Sequence, residues 1–143
     1  MRFFTVCLLG LCCLISCREK GKPVSLANVL KDSSSYTSIE WIDSVNRDFG
    51  KIYEGQKLQV TFRFRNTGSK PLVIAKVQPS CGCTVAEQPE EPVGPGQTGE
   101  IKAIFNSEDR VGMNHKTLFV YANTRIIQEH TLQFLVEVEK RKM

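Results

Sequence analysis

The chain has 143 residues, and its 19 Lys and Arg against 15 Asp and Glu leave a formal net charge of +4 at pH 7. That excess is scattered, with short basic clusters only at Arg18-Lys20-Lys22 and Lys140-Arg141-Lys142, so the concentrated basic face that a nucleic-acid partner needs is excluded. The length suits one domain with a real core, and two histidines, His115 and His130, are little material for acid–base chemistry.

In chain order, Met1-Arg2 precedes the apolar run Phe3–Ile15, which ends at Ser16-Cys17 and the polar stretch Arg18-Glu19-Lys20-Gly21-Lys22. A basic residue, a short apolar core and a small residue at the junction follow the order of a secretory signal peptide. The run is shorter than the about 20 residues of a bilayer-spanning helix. Leu14-Ile15-Ser16-Cys17 resembles the lipobox of bacterial lipoproteins, which implies cleavage after Ser16 and lipidation of Cys17. Residues 1–16 are therefore expected to be a signal peptide, 17–36 a lipidated N-terminus with a flexible polar tether, and 37–140 the folded domain. Contact with the membrane is expected through the N-terminal lipid. Within the tether, Leu26, Val29 and Leu30 in Ser25–Lys31 support at most a short helix.

From Thr37 onward the hydrophobic period is two. Thr37–Ile42 reads as a first strand. Leu58, Val60, Phe62 and Phe64 alternate with Gln59, Thr61 and Arg63, as in a half-buried strand, which puts Phe62 inside and Arg63 in solvent. Leu72–Val77 and Thr117–Ala122 are apolar on both sides, as in strands buried on two faces. Thr84–Glu87, Ile101–Phe105 and Leu132–Val138 complete the set. Phe49 and Ile52 are expected to close one end of the core. Asn66-Thr67-Gly68-Ser69-Lys70-Pro71 is a turn in which Gly68 is expected to supply a positive φ and Asn66 to bond its own turn. The Pro- and Gly-rich stretch 88–96, Asn106–Asn114 and Asn123–Ile126 are the remaining connections. About seven short strands at this spacing predict an all-β chain folded as an antiparallel β-sandwich.

Asp48-Phe49-Gly50-Lys51-Ile52-Tyr53-Glu54-Gly55, Asn66-Thr67-Gly68, Lys70-Pro71-Leu72-Val73-Ile74 and Pro79-Ser80-Cys81-Gly82-Cys83-Thr84 resemble a bacterial family known only as a domain of unknown function. Pro95-Gly96 before Ile101–Phe105 fits the same pattern. The resemblance covers roughly Glu40 to Glu139, and Ser-Cys-Gly-Cys-Thr is its specific part. It implies an immunoglobulin-like fold, related to the sandwiches of major sperm protein and of ciliary proteins. The family is common among lipoproteins of Bacteroidota, in agreement with the Ser16-Cys17 junction, and implies no activity.

Cys81 and Cys83 are the two cysteines left once the signal peptide is removed and Cys17 is lipidated. Three readings stand. The pair forms a disulfide across Gly82, a residue able to take unusual backbone angles. Alternatively the two thiols are small buried side chains. Or they bind a soft metal, Cu(I) or Zn²⁺, with Met113 or His115, although two sulfurs are half a zinc site. No Lys, Arg or His lies within Ser80–Thr84 to activate a thiolate. No nucleophile–base, metalloprotease or phosphate-loop spacing is present, His115 falls in a Gly112–Lys116 loop, and Glu90-Glu91 is a solvated pair in a Pro-rich loop. The chain is expected not to be an enzyme, with no catalytic residue and no cofactor. The expectation is a lipid-anchored immunoglobulin-like module that binds another envelope protein or peptide; a thiol–disulfide or soft-metal protein and a purely structural component are the alternatives. Arg18 after the lipidated cysteine, and no acidic cluster behind it, point by analogy to the periplasmic face of the outer membrane.

Overall fold

The computed structural model describes residues 32–141 of the chain. The signal peptide, Cys17 and the short helix expected at Ser25–Lys31 lie outside the described residues. After a 3-10 turn at Ser33–Ser35 come eight strands: β1 (Ile39–Trp41), β2 (Asn46–Tyr53), β3 (Lys57–Asn66), β4 (Ile74–Pro79), β5 (Thr84–Glu87), β6 (Thr98–Asn106), β7 (Gly112–Ala122) and β8 (Glu129–Glu139). They form two four-stranded sheets, one ordered β1-β3-β6-β5 and the other β2-β8-β7-β4. This is an all-β sandwich, as the alternation predicts, and it is immunoglobulin-like, as the resemblance implies. Among the described residues no helix is long and apolar enough to cross a membrane.

Strand β3 shows why the layers form. Val60, Phe62 and Phe64 point inward and are fully buried, while Gln59, Arg63 and Arg65 face solvent. The antiparallel partner β6 sets Ile101 opposite Phe62 and Phe105 opposite Leu58. From the other sheet β8 supplies Leu132, Phe134, Val136 and Val138. The two sheets meet in an aromatic edge-to-face contact, Phe105 lying 6.2 Å from Phe134, and Phe49 from the neighbouring strand β2 packs edge-on at 6.1 Å from the same ring, centroid to centroid.

Several expectations are corrected. The eighth strand is β2, where the sequence predicts only a segment closing the core; Phe49 and Ile52 do pack on the core, but from a strand. Its pairing with β8 is parallel, so the second sheet is mixed and not purely antiparallel. Gly50, at φ +66°, makes the bulge where the register shifts between Asp48 and Lys51. Strand β4 is an edge strand, and β7 turns Thr117, Phe119 and Tyr121 to the half-exposed outer face, so neither is buried on both sides. Gly68 does not take a positive φ. It is needed because a Cβ there would stand 2.2 Å from Thr37 Oγ1 and 2.7 Å from the Ser38 backbone nitrogen.

That close approach belongs to the end of the sandwich where the chain enters. Asn66, fully buried, donates from Nδ2 to Lys70 O (2.7 Å) and Val93 O (2.9 Å) and accepts at Oδ1 from Thr37 Oγ1 (2.8 Å) and Gly68 N–H (3.1 Å). Asn123 accepts from Val73 N–H (2.8 Å) and donates to Ser35 O (2.8 Å) and Pro71 O (3.0 Å). Two buried amides thus tie the entering segment, the β3–β4 loop and the β7–β8 loop into one unit.

His130, half-buried beside Trp41, shares a 2.8 Å hydrogen bond with Thr124 Oγ1 at this end. Burial pushes its imidazole below the ordinary value of 6.5, a shift partly opposed by the Ile127 backbone. The folded state therefore favours the neutral ring, and the unfolded chain takes up its proton first. This contribution to stability is full above about pH 6.5 and is lost as the pH falls through the lowered folded value. Urea midpoints at pH 7.5 and pH 5.5 should differ less in His130→Gln than in the wild type; an unchanged difference would remove His130 from the account.

Candidate functional site

Two of the four sheet edges lie together on one side of the sandwich, β4 from one sheet and β5 from the other, and the Cys81–Cys83 corner joins them. Ser80 prolongs the β4–β7 ladder by one step: its N–H donates to Thr117 O (2.9 Å), and its Oγ accepts from Thr117 N–H (3.3 Å). The chain then crosses to the other sheet, where Cys83 O accepts from Asn106 N–H (2.9 Å) and Thr84 begins β5 opposite Phe105. Cys81 and Cys83 are joined by a disulfide with their Cα atoms 5.4 Å apart. Cys83 packs against the core, and Cys81 Sγ lies 3.8 Å from Thr84 Oγ1. Gly82 between them is exposed, has no positive φ, and an added Cβ would meet nothing within 4 Å, so the unusual backbone expected there is absent.

The soft-metal reading is not supported by placement. His115 is not in a loop but in β7, on the outer face with Met113, while Cys83 turns to the core. Among the described residues no group of three or more His, Cys, Asp or Glu side chains is placed to hold a metal ion.

What the sequence reading missed beside the cysteines is Lys116. It occupies an inward position of β7, directly past the end of β4, since Leu118 pairs with Pro79. Its ammonium lies 5.2 Å from the centroid of Phe105, the cross-strand partner of Thr84. Burial lowers its pKa, and the Arg110 charge adds to that shift. The signal was available: Asn114, Lys116, Leu118, Val120 and Ala122 share one face, and Lys116 stands where its apolar part begins.

On the outer face of the second sheet a shallow depression of about 290 Å³ is lined by Asn46, Asp48, His115, Thr117, Gln133 and Leu135, among others. Asp48, Leu135 and His115 lie in one row across β2, β8 and β7. Two strand spacings, about 10 Å, separate the backbones of Asp48 and His115.

The sheet edges differ in how they are finished. Val45 O and Glu54 N–H point from β2 toward β8, so the alternating Asn46 and Tyr53 groups face outward. Ser44 Oγ donates to Asn46 O (2.7 Å) and accepts from Asn46 N–H (3.3 Å). Gln56 Oε1 accepts from Tyr53 N–H (2.7 Å), and Asp48 Oδ1 accepts from Gly50 N–H at the bulge (2.8 Å). The β2 edge is thus closed by its own side chains, one way in which proteins blunt an edge strand. On the opposite side, Cys83 O faces β6, so by alternation the backbone groups of Ala86 point away from the sheet. Beside this edge Val85, 65% exposed, pairs with Ile104, 39% exposed.

No curated protein is similar to the chain in sequence. Among solved structures it is similar to a protein of unknown function from Porphyromonas gingivalis W83, at 15% identity and a TM-score of 0.65, over 73% of this chain and 48% of that one. The chain thus spans about half the length of that protein. It is also similar to the secreted serine protease VesC from Vibrio cholerae, at 13% identity and a TM-score of 0.52, over 76% of this chain and 24% of that one. A PapD-like domain of human CEP192 matches at 13% identity and a TM-score of 0.49, over 90% of this chain and 98% of that one. At these identities the likeness is one of fold alone. The sequence profile of one family, described as a protein of unknown function and designated DUF1573, matches residues 39–138, nearly the whole sandwich, and the chain belongs to that family.

Proposed function

We propose that this protein is a lipid-anchored, non-catalytic immunoglobulin-like module of the bacterial envelope, held through Cys17 at the periplasmic face of the outer membrane. In this reading it binds an extended segment of another envelope protein along the β4–β5 side. The observation that carries the binding role is the contrast between edges. The β2 edge is closed by Ser44, Asp48 and Gln56, whereas β5 leaves the Ala86 backbone groups outward beside the exposed pair Val85 and Ile104. Strand addition draws affinity from main-chain hydrogen bonds and specificity from such flanking apolar contacts. The anchor rests on the Leu14–Cys17 junction and on a preceding apolar run too short to span a bilayer.

Two measurements test the two halves. Cys17→Ser should release the protein from membranes into the soluble fraction after a carbonate wash; sedimentation unchanged from wild type would refute the lipid anchor. A photo-crosslinking residue at Val85 should trap a discrete partner in whole cells, while the same probe at Lys51 on β2 should not. Crosslinking at Lys51 alone would move the binding edge to the other side of the sandwich.

A second reading has the Cys81–Cys83 disulfide exchange with a substrate thiol, and Lys116, next to the Thr117 that bonds Ser80, is the cation on that side of the sandwich. Under the leading reading Cys81→Ser with Cys83→Ser lowers stability but leaves partner crosslinking at Val85 in place. Turnover of a disulfide substrate by the wild type and not by this variant would promote the second reading.

A further inference from the structure

We infer that the β7–β8 loop is a second membrane contact, in which Ile126 and Ile127 insert into the interfacial layer of a lipid bilayer. This rests on the lipid anchor proposed at Cys17 and adds to it the orientation of the domain. Ile126 is 92% exposed and Ile127 57% exposed, two adjacent large aliphatic side chains at the tip of one loop. In water they forgo the free energy that burial of apolar area would provide.

The loop that carries them is held in place. Ala122 N–H donates to Gln128 O (2.9 Å) across its base, Thr124 N–H donates to Ala122 O (2.8 Å), and the Thr124 hydroxyl donates to Ile127 O while also meeting His130 Nε2. Gln128 is further joined through its side-chain amide to the Tyr36 hydroxyl. The tip is therefore presented by fixed flanks, and inserting it costs little ordering of the chain.

Its position supplies the occupant. Thr37 pairs with Thr124, Thr37 N–H donates to Asn123 O (3.0 Å), and Arg125 N–H donates to Thr37 O (3.2 Å). The chain that leads back to Cys17 thus leaves the domain beside this loop. Residues 18–31 could span about 50 Å at full stretch, and this end of the sandwich is the one that meets the bilayer without the chain doubling back. Arg125, exposed next to the isoleucines, would lie at headgroup level, where a cation is favoured by anionic lipid. A second, apolar contact beside a lipid tether turns a swivelling attachment into an oriented one. It places the loops at 53–57 and 107–111 farthest from the bilayer.

The test uses the full lipidated chain in vesicles of phosphatidylethanolamine and phosphatidylglycerol, with Trp41→Phe to remove the native fluorophore. Ile126→Trp should shift its emission to the blue on vesicle binding and be quenched by brominated acyl chains at least two-fold more than Val111→Trp, at the opposite end. A solvent-like, unquenched Ile126→Trp in protein that floats with the vesicles would overturn the loop contact and leave the anchor standing. If the chain does not float, the anchor reading fails, and the loop is judged on Cys17→Ser with excess vesicles. Flotation there that Ile126→Glu with Ile127→Glu abolishes supports the contact, and no flotation overturns it. A blue shift without vesicles assigns the isoleucines to self-association and also overturns it.

Discussion

Phe62→Ala is expected to lower the unfolding free energy by about 3–5 kcal/mol, the loss for a large aromatic removed from a packed core. Phe62 is fully buried, faces Ile101 across the ladder, and has the Arg47 guanidinium 5.9 Å from its ring centroid. The cavity would therefore open between the sheets, where β3 and β6 on one side and β8 on the other hold the backbone apart. Its neighbour Arg63 points to solvent but is not idle. Its guanidinium holds Asp43 at 2.7 and 3.0 Å, and the Asp43 carboxylate also accepts the Arg63 backbone N–H. These bonds from Arg63 hold the Asp43 carboxyl down to about 2, so the pair persists over most of the acid range. Arg63→Ala should still cost far less than Phe62→Ala, since the cation is exposed and its pair is screened. Urea unfolding of the two variants beside wild type checks the contrast. Equal losses would contradict the inward–outward register of β3.

Asn66→Ala should cost about 3 kcal/mol, close to the cavity variant although it removes far less apolar area. All four hydrogen bonds of the Asn66 side chain are local to the chain-entering end, and both of its donor bonds end on backbone carbonyls. Removing the amide takes the acceptor from the buried Thr37 hydroxyl and leaves Val93 O with the Leu72 N–H alone, and an unmet polar group in the interior costs more than a formed bond contributes. Asn66→Asp should be no rescue, because a carboxylate presents two acceptors where Lys70 O and Val93 O need a donor. Hydrogen exchange should show the loss as faster exchange at Leu72 and Val93, which bond each other across the loop beneath Asn66. Stability within about half a kcal/mol of wild type would mean that water replaces the amide without loss.

The sequence made the central layers legible and the edges obscure. β3, β6 and β8 alternate strictly because each has one face on the core and one in solvent. β2 was hidden by two departures from that rule. Gly50 inserts an extra residue and breaks the period at the bulge, and Arg47 turns inward, its guanidinium 4.7 Å from the Phe49 ring and bonded to Thr61 O at 2.7 Å. A charged residue at an inward position reads as loop until the aromatic and carbonyl that receive it are known. Lys116 was passed over for the same reason. β4 and β7 misled in the opposite direction: Phe119 and Tyr121 are apolar enough to suggest burial, yet they lie on the outer face. Of the candidate site, the cysteine corner was visible as a motif, and a disulfide across Gly82 could be read from a separation of two, whereas Lys116 lies more than thirty positions away and reaches the same side only through the pairing of β4 with β7.

The parallel pairing of β2 with β8 has a consequence for how this chain reaches its fold. Asn46 must find Gln133 and Tyr53 must find Glu139, so one of the first strands made is completed by the last. A ribosome or a translocation channel releases the chain N-terminus first, and until β8 emerges β2 has no partner in its sheet. Closing so long a loop before any contact rewards it raises contact order and slows folding. During that interval Phe49 and Ile52 stay uncovered. Completion of the second sheet, and with it of the sandwich, is thereby deferred until nearly the whole domain has been released.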